Sequence, residues 1–190
     1  MARKAAPARH TILSEIAPFD SEKNLRVVIE TPKGSRNKYS YDPSCDCLEL
    51  KTVLPVGMSF PYDFGFIPST LGEDGDPLDI LVLMDSPVVG GCVLAARAIG
   101  VIEAEQKEES KDWFRNDRLI AVAVHSRTHE GAHSLKDLRA HLVEEIISFF
   151  EDYNRLHGKK FRSLGEHGPS RAHALVEKGR ARHKKHRTKK

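Results

Sequence analysis

Three carboxylates, Asp74, Asp76 and Asp79, fall within six residues in "GEDGDPLDILVLM" and run directly into an apolar segment. An Asp-Gly pair in a solvated turn needs no explanation by itself. Asp79 is different. It lies beyond Pro77, between Leu78 and Ile80, inside the run that reads as a buried strand, and a carboxylate carried there is costly without compensation. A calcium loop of the EF-hand type does not fit, since Asp79 stands where that loop requires its sixth-position glycine and Pro77 breaks the geometry. Magnesium fits better. Mg²⁺ takes one or two carboxylates, keeps several waters and completes its shell with phosphate oxygens. A third carboxylate is then free to orient or deprotonate a water. Mn²⁺ is the alternative ion for the same donors.

That chemistry requires cations to receive a phosphate. Lys38 on an alternating segment, Arg118 at the head of "RLIAVAV", and Tyr153 with Lys159 and Lys160 are the candidates. Glu30, closing the apolar "LRVVIE", is a further acid. Each taken singly is an ordinary surface charge or helix-face residue, and only together do they suggest a site.

The elements that must position these residues are mostly strands. "LRVVIE" is β-branched and closed by a turn at Thr31 to Gly34; "NKYSYD" puts Lys38 and Ser40 on one face and Tyr39 and Tyr41 on the other. "DPSCDC" connects tightly into "LELKTV". Phe60 to Pro77, crowded with Pro, Gly and aromatics, reads as an ordered loop rather than a regular element. "LDILVLM", "CVLAARAIGVIEAE" and "RLIAVAV" read as further strands, and "EQKEESKDWFRND" as a polar excursion. One long helical pattern runs from Ser134 to Gly158, with Ser134 and Asp137 spaced as a capping box and Leu135, Leu138, Leu142, Ile146, Phe149 and Tyr153 at helical intervals. A second, shorter helix is expected from Pro169. Hairpin-rich strands followed by terminal helices indicate an α+β fold on a small barrel or curled sheet.

The 190 residues suit one domain. The expected division is a flexible basic segment over 1–20, the folded unit over 21–165, and a basic tail over 166–190, partly helical or disordered. The formal charge of +3 hides this segregation: Lys178 to Lys190 holds eight Lys or Arg and no acid, and Arg3, Lys4 and Arg9 lie at the other end, leaving an acidic body. Such a body suits metal cations better than nucleic acid, and no aromatic interleaves the basic tail, so nucleic acid is not the expected partner. The longest apolar run, Ile80 to Met84, is too short to span a bilayer. "MARKAAPARH" is followed by no apolar region of a secretory signal, and three cysteines cannot all pair, so a reducing cytoplasm is expected. Cys45 and Cys47 form a Cys-x-Cys pair read as turn and strand residues; His125, His129 and His133 recur every four residues in what reads as a loop.

"EDGDPLDILVL" resembles the signature of the soluble family I inorganic pyrophosphatases, aspartate-x-aspartate-proline-x-aspartate before an apolar strand. "VVIETPKGSRNKYSYD", "FPYDFGFIPSTL", "GVIEAE...RNDRLIAVAVHS" and "HSLKDLRAHLVEEIISFFEDYNRLHGKKF" are similar to the segments around it, from about Leu25 to Phe161. The resemblance implies a five-stranded closed barrel (OB-like) with flanking helices, a homo-oligomer, and Mg²⁺-dependent hydrolysis of pyrophosphate. It implies that Asp74 and Asp79 hold metal, with Asp79 bridging two ions, that Asp76 activates water, and that Lys38, Arg118, Tyr153 and Lys160 hold phosphate. Glu30 belongs to an outer acidic shell, while Asp117 and Asp112 are the nearest replacements for two further metal aspartates. The chain departs from the family at Ser40, Thr52, Phe60, Phe64, Asn116 and Asn154, where the family carries charged or hydroxyl groups. The alternatives are therefore an enzyme for another phosphoanhydride, or a weakly active or inactive metal-binding member.

Overall fold

The computed structural model describes residues 12–109 and 112–188. The expected basic segment at Arg3, Lys4 and Arg9 lies outside them. Among the described residues eight strands precede the first of two long helices and a ninth separates them: β1 (Leu25–Thr31), β2 (Asn37–Asp42), β3 (Cys47–Val53), β4 (Asp63–Ile67), β5 (Leu78–Leu83), β6 (Val93–Lys107), β7 (Phe114–Arg115), β8 (Arg118–Ala123), α1 (Leu142–Leu156), β9 (Lys160–His167) and α2 (Pro169–Arg187). The result is a mixed, sheet-dominated fold. Pairing runs β1–β4–β5–β8–β6, and β6 pairs β1 again, so these five strands form a ring. β2 and β3 form a separate hairpin. No helix among the described residues is long and apolar enough to cross a membrane.

Alternation sorts the ring's side chains into two cores. Ile80 and Val82 of β5, with Leu119 and Ala121 of β8, join the cluster that receives Ala172 and Val176 of α2. Leu81, Leu83, Ile120 and Val122 join the cluster that receives Leu142, Ile146 and Phe150 of α1. Asp79, second residue of β5, and Arg118, first of β8, are in phase with the α1 side.

Three expectations change. The segment Phe60 to Pro77 is not all loop: Asp63–Ile67 is β4, fully buried and paired to both β1 and β5. Its Gly65 is required by close approach, because a Cβ there would lie 1.9 Å from the Val28 carbonyl oxygen. Sheet pairing overrides the loop-like composition. Second, the capping box at Ser134 closes only a 3-10 turn over Leu135–Asp137, and α1 starts at Leu142 after His141 adopts φ 65°. Third, the C-terminal helix is the longer of the two, 19 residues against 15. α2 is no loose tail. Pro169 opens it, and Ala172, Val176 and Gly179 are buried against the body.

Glu103 ties four elements together. Its carboxylate accepts from Arg115 of β7 at 2.8 Å and Arg171 of α2 at 2.6 Å, with His167 of β9 at 3.9 Å. Burial would raise its pKa, but the two arginines outweigh burial and hold the carboxyl below its ordinary 4.5. A depressed folded pKa means stability that is full above about pH 4.5 and lost as pH falls through the lowered value. Glu103→Gln should therefore lose about 1.5–3 kcal/mol at neutral pH, and the gap from wild type should close in acid. Urea titrations at neutral pH and at pH 3 check both halves.

Candidate active site

The signature loop is held from behind by α2. Gly179 packs so tightly on Leu78 that a Cβ would meet Leu78 Cδ1 at 2.8 Å, and its carbonyl accepts from Leu71 N at 3.1 Å. Arg182 donates to Leu71 O at 3.1 Å and to Glu73 at 3.1 Å, while Lys178 pairs Glu73 at 3.5 Å. Thr70 Oγ1 accepts Leu78 N at 3.0 Å, fixing the entry to β5. Within the loop Gly75 takes φ +98°, Gly72 N donates to Asp76 O at 2.6 Å, and Asp76 N donates to Asp74 Oδ1 at 3.1 Å.

This loop forms one lip of a cleft of about 740 Å³. Asp74, Asp76 and Asp79 face it, with Glu30 and Lys38 from the first strands, Arg118 from β8, and Tyr153 from α1. The parallel register Ile80↔Leu119 brings Asp79 beside Arg118. The guanidinium Nη1 lies 2.6 Å from Asp79 Oδ2, with the arginine side chain only 5% exposed. It also donates to Asn116 Oδ1, and its Cζ stacks 4.7 Å from the Phe150 ring. Across the cleft, Lys38 Nζ pairs Glu30 Oε2 at 3.2 Å, donates to Tyr39 O at 2.7 Å and lies 4.6 Å over the Phe64 ring. Glu30 Oε1 accepts Tyr41 N at 2.7 Å.

Burial first, and the neighbouring charge of Asp79 second, raises the pKa of acids in the cleft. Asp74, exposed as a residue but lining the cleft, is pushed up to about 6, first by partial desolvation of its carboxyl there and then by the charge of Asp79. Burial and Asp79 likewise raise Asp76, against the lowering pull of Lys38 and Lys159. Glu30 is raised by burial despite Lys38. Tyr153 is raised by burial, with Arg118 opposing. Among the described residues no three His, Cys, Asp or Glu side chains converge tightly enough to hold a metal ion as they stand. Like charges spread, and Asp79 has turned to Arg118.

Three sequence candidates lie away from the cleft. Asp117 accepts from Ala104 N at 3.0 Å and Arg115 at 2.7 Å, beside a smaller hollow behind the loop. Asp112 is exposed. Lys160 is exposed at the start of β9, whereas the neighbouring Lys159 lines the cleft and pairs Glu108 at 2.8 Å.

The cleft also contains residues that sequence reasoning passed over. Gln106 accepts from the Asn116 amide at 3.1 Å, so a pair of neutral amides flanks Asp79 and Arg118. The signal was available: Ile102, Ala104 and Gln106 alternate on β6, a polar group ending an apolar face. Asn154, 1% exposed, and His157 complete the α1 wall. Phe60 packs edge-on to Tyr153 at 6.0 Å, so the positions without tyrosine hydroxyls form an apolar floor.

Comparison with known proteins agrees with this geometry. Residues 27–184 match the family described as inorganic pyrophosphatase. The inorganic pyrophosphatase of Synechocystis is 39% identical over 153 residues, 80% of this chain and 88% of that protein; that of Nostoc is 36% identical, over 87% and 95%. The crystal structure of the Thermus thermophilus inorganic pyrophosphatase superposes with a TM-score of 0.83 at 34% identity, covering 92% of this chain and 99% of that one. The chain belongs to the inorganic pyrophosphatase family.

Proposed function

We propose that the cleft hydrolyses inorganic pyrophosphate to two phosphates with a divalent cation, Mg²⁺ or Mn²⁺, held by Asp74 and Asp79, with Asp76 beside them to activate water. The observation that carries this reading is the opposition of three crowded carboxylates on one lip to Lys38, Arg118 and Tyr153 on the facing walls. The donor set fits: hard oxygen ligands raised first by burial and then by the charge of Asp79 are what a hard dication relieves. Neutral Gln106 and Asn116 offer no charge, so the fit is to fewer ions than an all-carboxylate ring would accept. A bound dication supplies neutralisation of the attacking and leaving oxygens.

The chain's own residues account for the rest. Lys38, Lys159 and Tyr153 bind phosphate oxygens, and Arg118 can present its second Nη to the same anion while Asp79 orients it. Phe60, Phe64 and Phe150 limit water at the floor. Asp76, which faces the cleft and pairs with no cation among the described residues, accepts the proton of the attacking water as the bond from phosphorus to the bridging oxygen breaks. In this reading the strand ring is a closed barrel whose rim carries the cleft, and the protein works as a cytoplasmic homo-oligomer, as the family resemblance implies.

A second reading, a member that binds pyrophosphate and metal yet turns over slowly, is favoured by one observation: Asp79 is already neutralised by Arg118. Phosphate release from pyrophosphate decides. Steady multiple turnover with Mg²⁺, abolished by a chelator and restored by excess Mg²⁺, is the expected result. Saturable pyrophosphate binding without phosphate release would install the second reading.

A further inference from the structure

The hairpin that walls the cleft carries chemistry unrelated to phosphate. Its turn holds Cys45 and Cys47, both exposed, with their sulfurs 2.7 Å apart. In an extended strand, side chains two residues apart are separated by roughly 7 Å. Here Asp46, between them, takes φ 52°, and Cys47 pairs with Asp42 at the first rung of the hairpin. The left-handed step folds one thiol onto the other. Asp46 is itself held in place, accepting from Tyr41 Oη and from Leu13 N at 3.3 Å. The chain therefore presents a preformed pair rather than two independent surface thiols. Cys92, also exposed, precedes β6, with its thiol on Val93 O at 3.8 Å.

We infer that Cys45 and Cys47 are a reversible redox-modification site, closing an intramolecular disulfide in exchange with small-molecule disulfides of the glutathione class. A shared soft metal fits less well. Two thiolates on one tetrahedral zinc, at about 2.3 Å each, stand roughly 3.7 Å apart, and no third His, Cys or acid among the described residues joins them. The exchange balances. One thiolate attacks the oxidant's disulfide, expelling the first small thiol and leaving a mixed disulfide. The other then attacks the protein sulfur of that bond and expels the second. Two protein S–H groups are lost, the oxidant takes both electrons, and the protons leave with the small thiols. The hydrogen bond shared with Cys45 holds Cys47 in its thiol form, raised to about 11, and the exchange closes the same disulfide whichever thiolate attacks first. The ring closed is minimal, so the bond adds little by chain entropy, and exposed disulfides of this sort exchange readily. It is a switchable mark on the hairpin whose Asp42 and Pro43 line the cleft, not a brace.

The test uses the full chain, reduced and desalted, incubated with glutathione disulfide, then alkylated and weighed intact. The expected wild-type product has lost two hydrogens, carries no glutathione and leaves only Cys92 open to alkylation, with all three cysteines restored by dithiothreitol. Cys45→Ser and Cys47→Ser should each stop at a glutathione adduct on the remaining hairpin cysteine. A wild type that also stops at the adduct, that stays fully reduced while the single variants react, or that bonds through Cys92 overturns the assignment. Pyrophosphate plays no part in this readout, so its outcome is independent of the proposed hydrolysis.

Discussion

Asp76→Asn should lower the rate of pyrophosphate hydrolysis by about 10²–10⁴-fold, the usual contribution of a positioned general base. The folded structure should persist. Asp76 as a whole residue is exposed, although the cleft partly desolvates its carboxyl, and its ties within the loop run through its backbone, to Asp74 Oδ1 and Gly72 N, which asparagine keeps. Its carboxylate is the one of the three that neither pairs with Arg118 nor accepts the Asp76 amide. Lys38 and Lys159 act on it electrostatically across the cleft, which is where a bound polyanion and its water would lie. The loss should therefore fall on kcat more than on KM. Initial rates at saturating Mg²⁺, beside a thermal melt, provide the measurement; a variant within threefold of wild type would show that another group takes the proton.

Arg118→Ala should weaken the metal-free protein by about 2–4 kcal/mol. Removing one partner of a buried pair leaves an uncompensated charge, ordinarily about 3–5 kcal/mol. The figure is lowered here because the Asp79 side chain keeps 23% exposure. Asn116 loses its donor, and the space between Phe150 and Phe161, 4.7 and 5.9 Å from the guanidinium, is left unfilled. The same change frees Asp79 for a dication. At a hundredfold excess over its dissociation constant, a ligand specific to the folded state returns about 2.7 kcal/mol. Mg²⁺ should thus stabilise Arg118→Ala more than it stabilises wild type, restoring most of the loss. Urea titrations of both proteins with and without Mg²⁺ check this without reference to turnover. Equal Mg²⁺ gains would mean that Arg118 and the cation do not compete for Asp79.

The two predictions concern parts of the site that differ in how visible they were beforehand. Asp74, Asp76 and Asp79 were legible because three acids beside an apolar strand violate the ordinary economy of a sequence. Lys38 and Tyr153 were legible only as members of a pattern, and both line the cleft. Lys160 and Lys159 could not be told apart, since a single residue of strand register decides which faces the cleft. Asn116 beside Asp117 posed the same problem: Asn116 lines the cleft, while Asp117 is turned to Arg115.

What the linear order determined by itself was local. Alternation marked the β2–β3 hairpin, unbroken apolar runs marked β5 and β8 as strands, helical spacing picked out Leu142 and Ile146 of the buried α1 stripe, and the acid cluster marked the lip of the cleft. What only the folded chain decided was everything dependent on distant partners. The buried strand Asp63–Ile67 exists because β1 and β5 satisfy its backbone on both sides. The basic helix α2 became a clamp because Leu78 offered Gly179 a place to pack. Asp79 faces a guanidinium because parallel pairing sets Ile80 against Leu119. Side-chain periodicity is a property of neighbours a few residues apart, whereas pairing register and charge compensation are settled between segments whose separation in sequence carries no record of their contact.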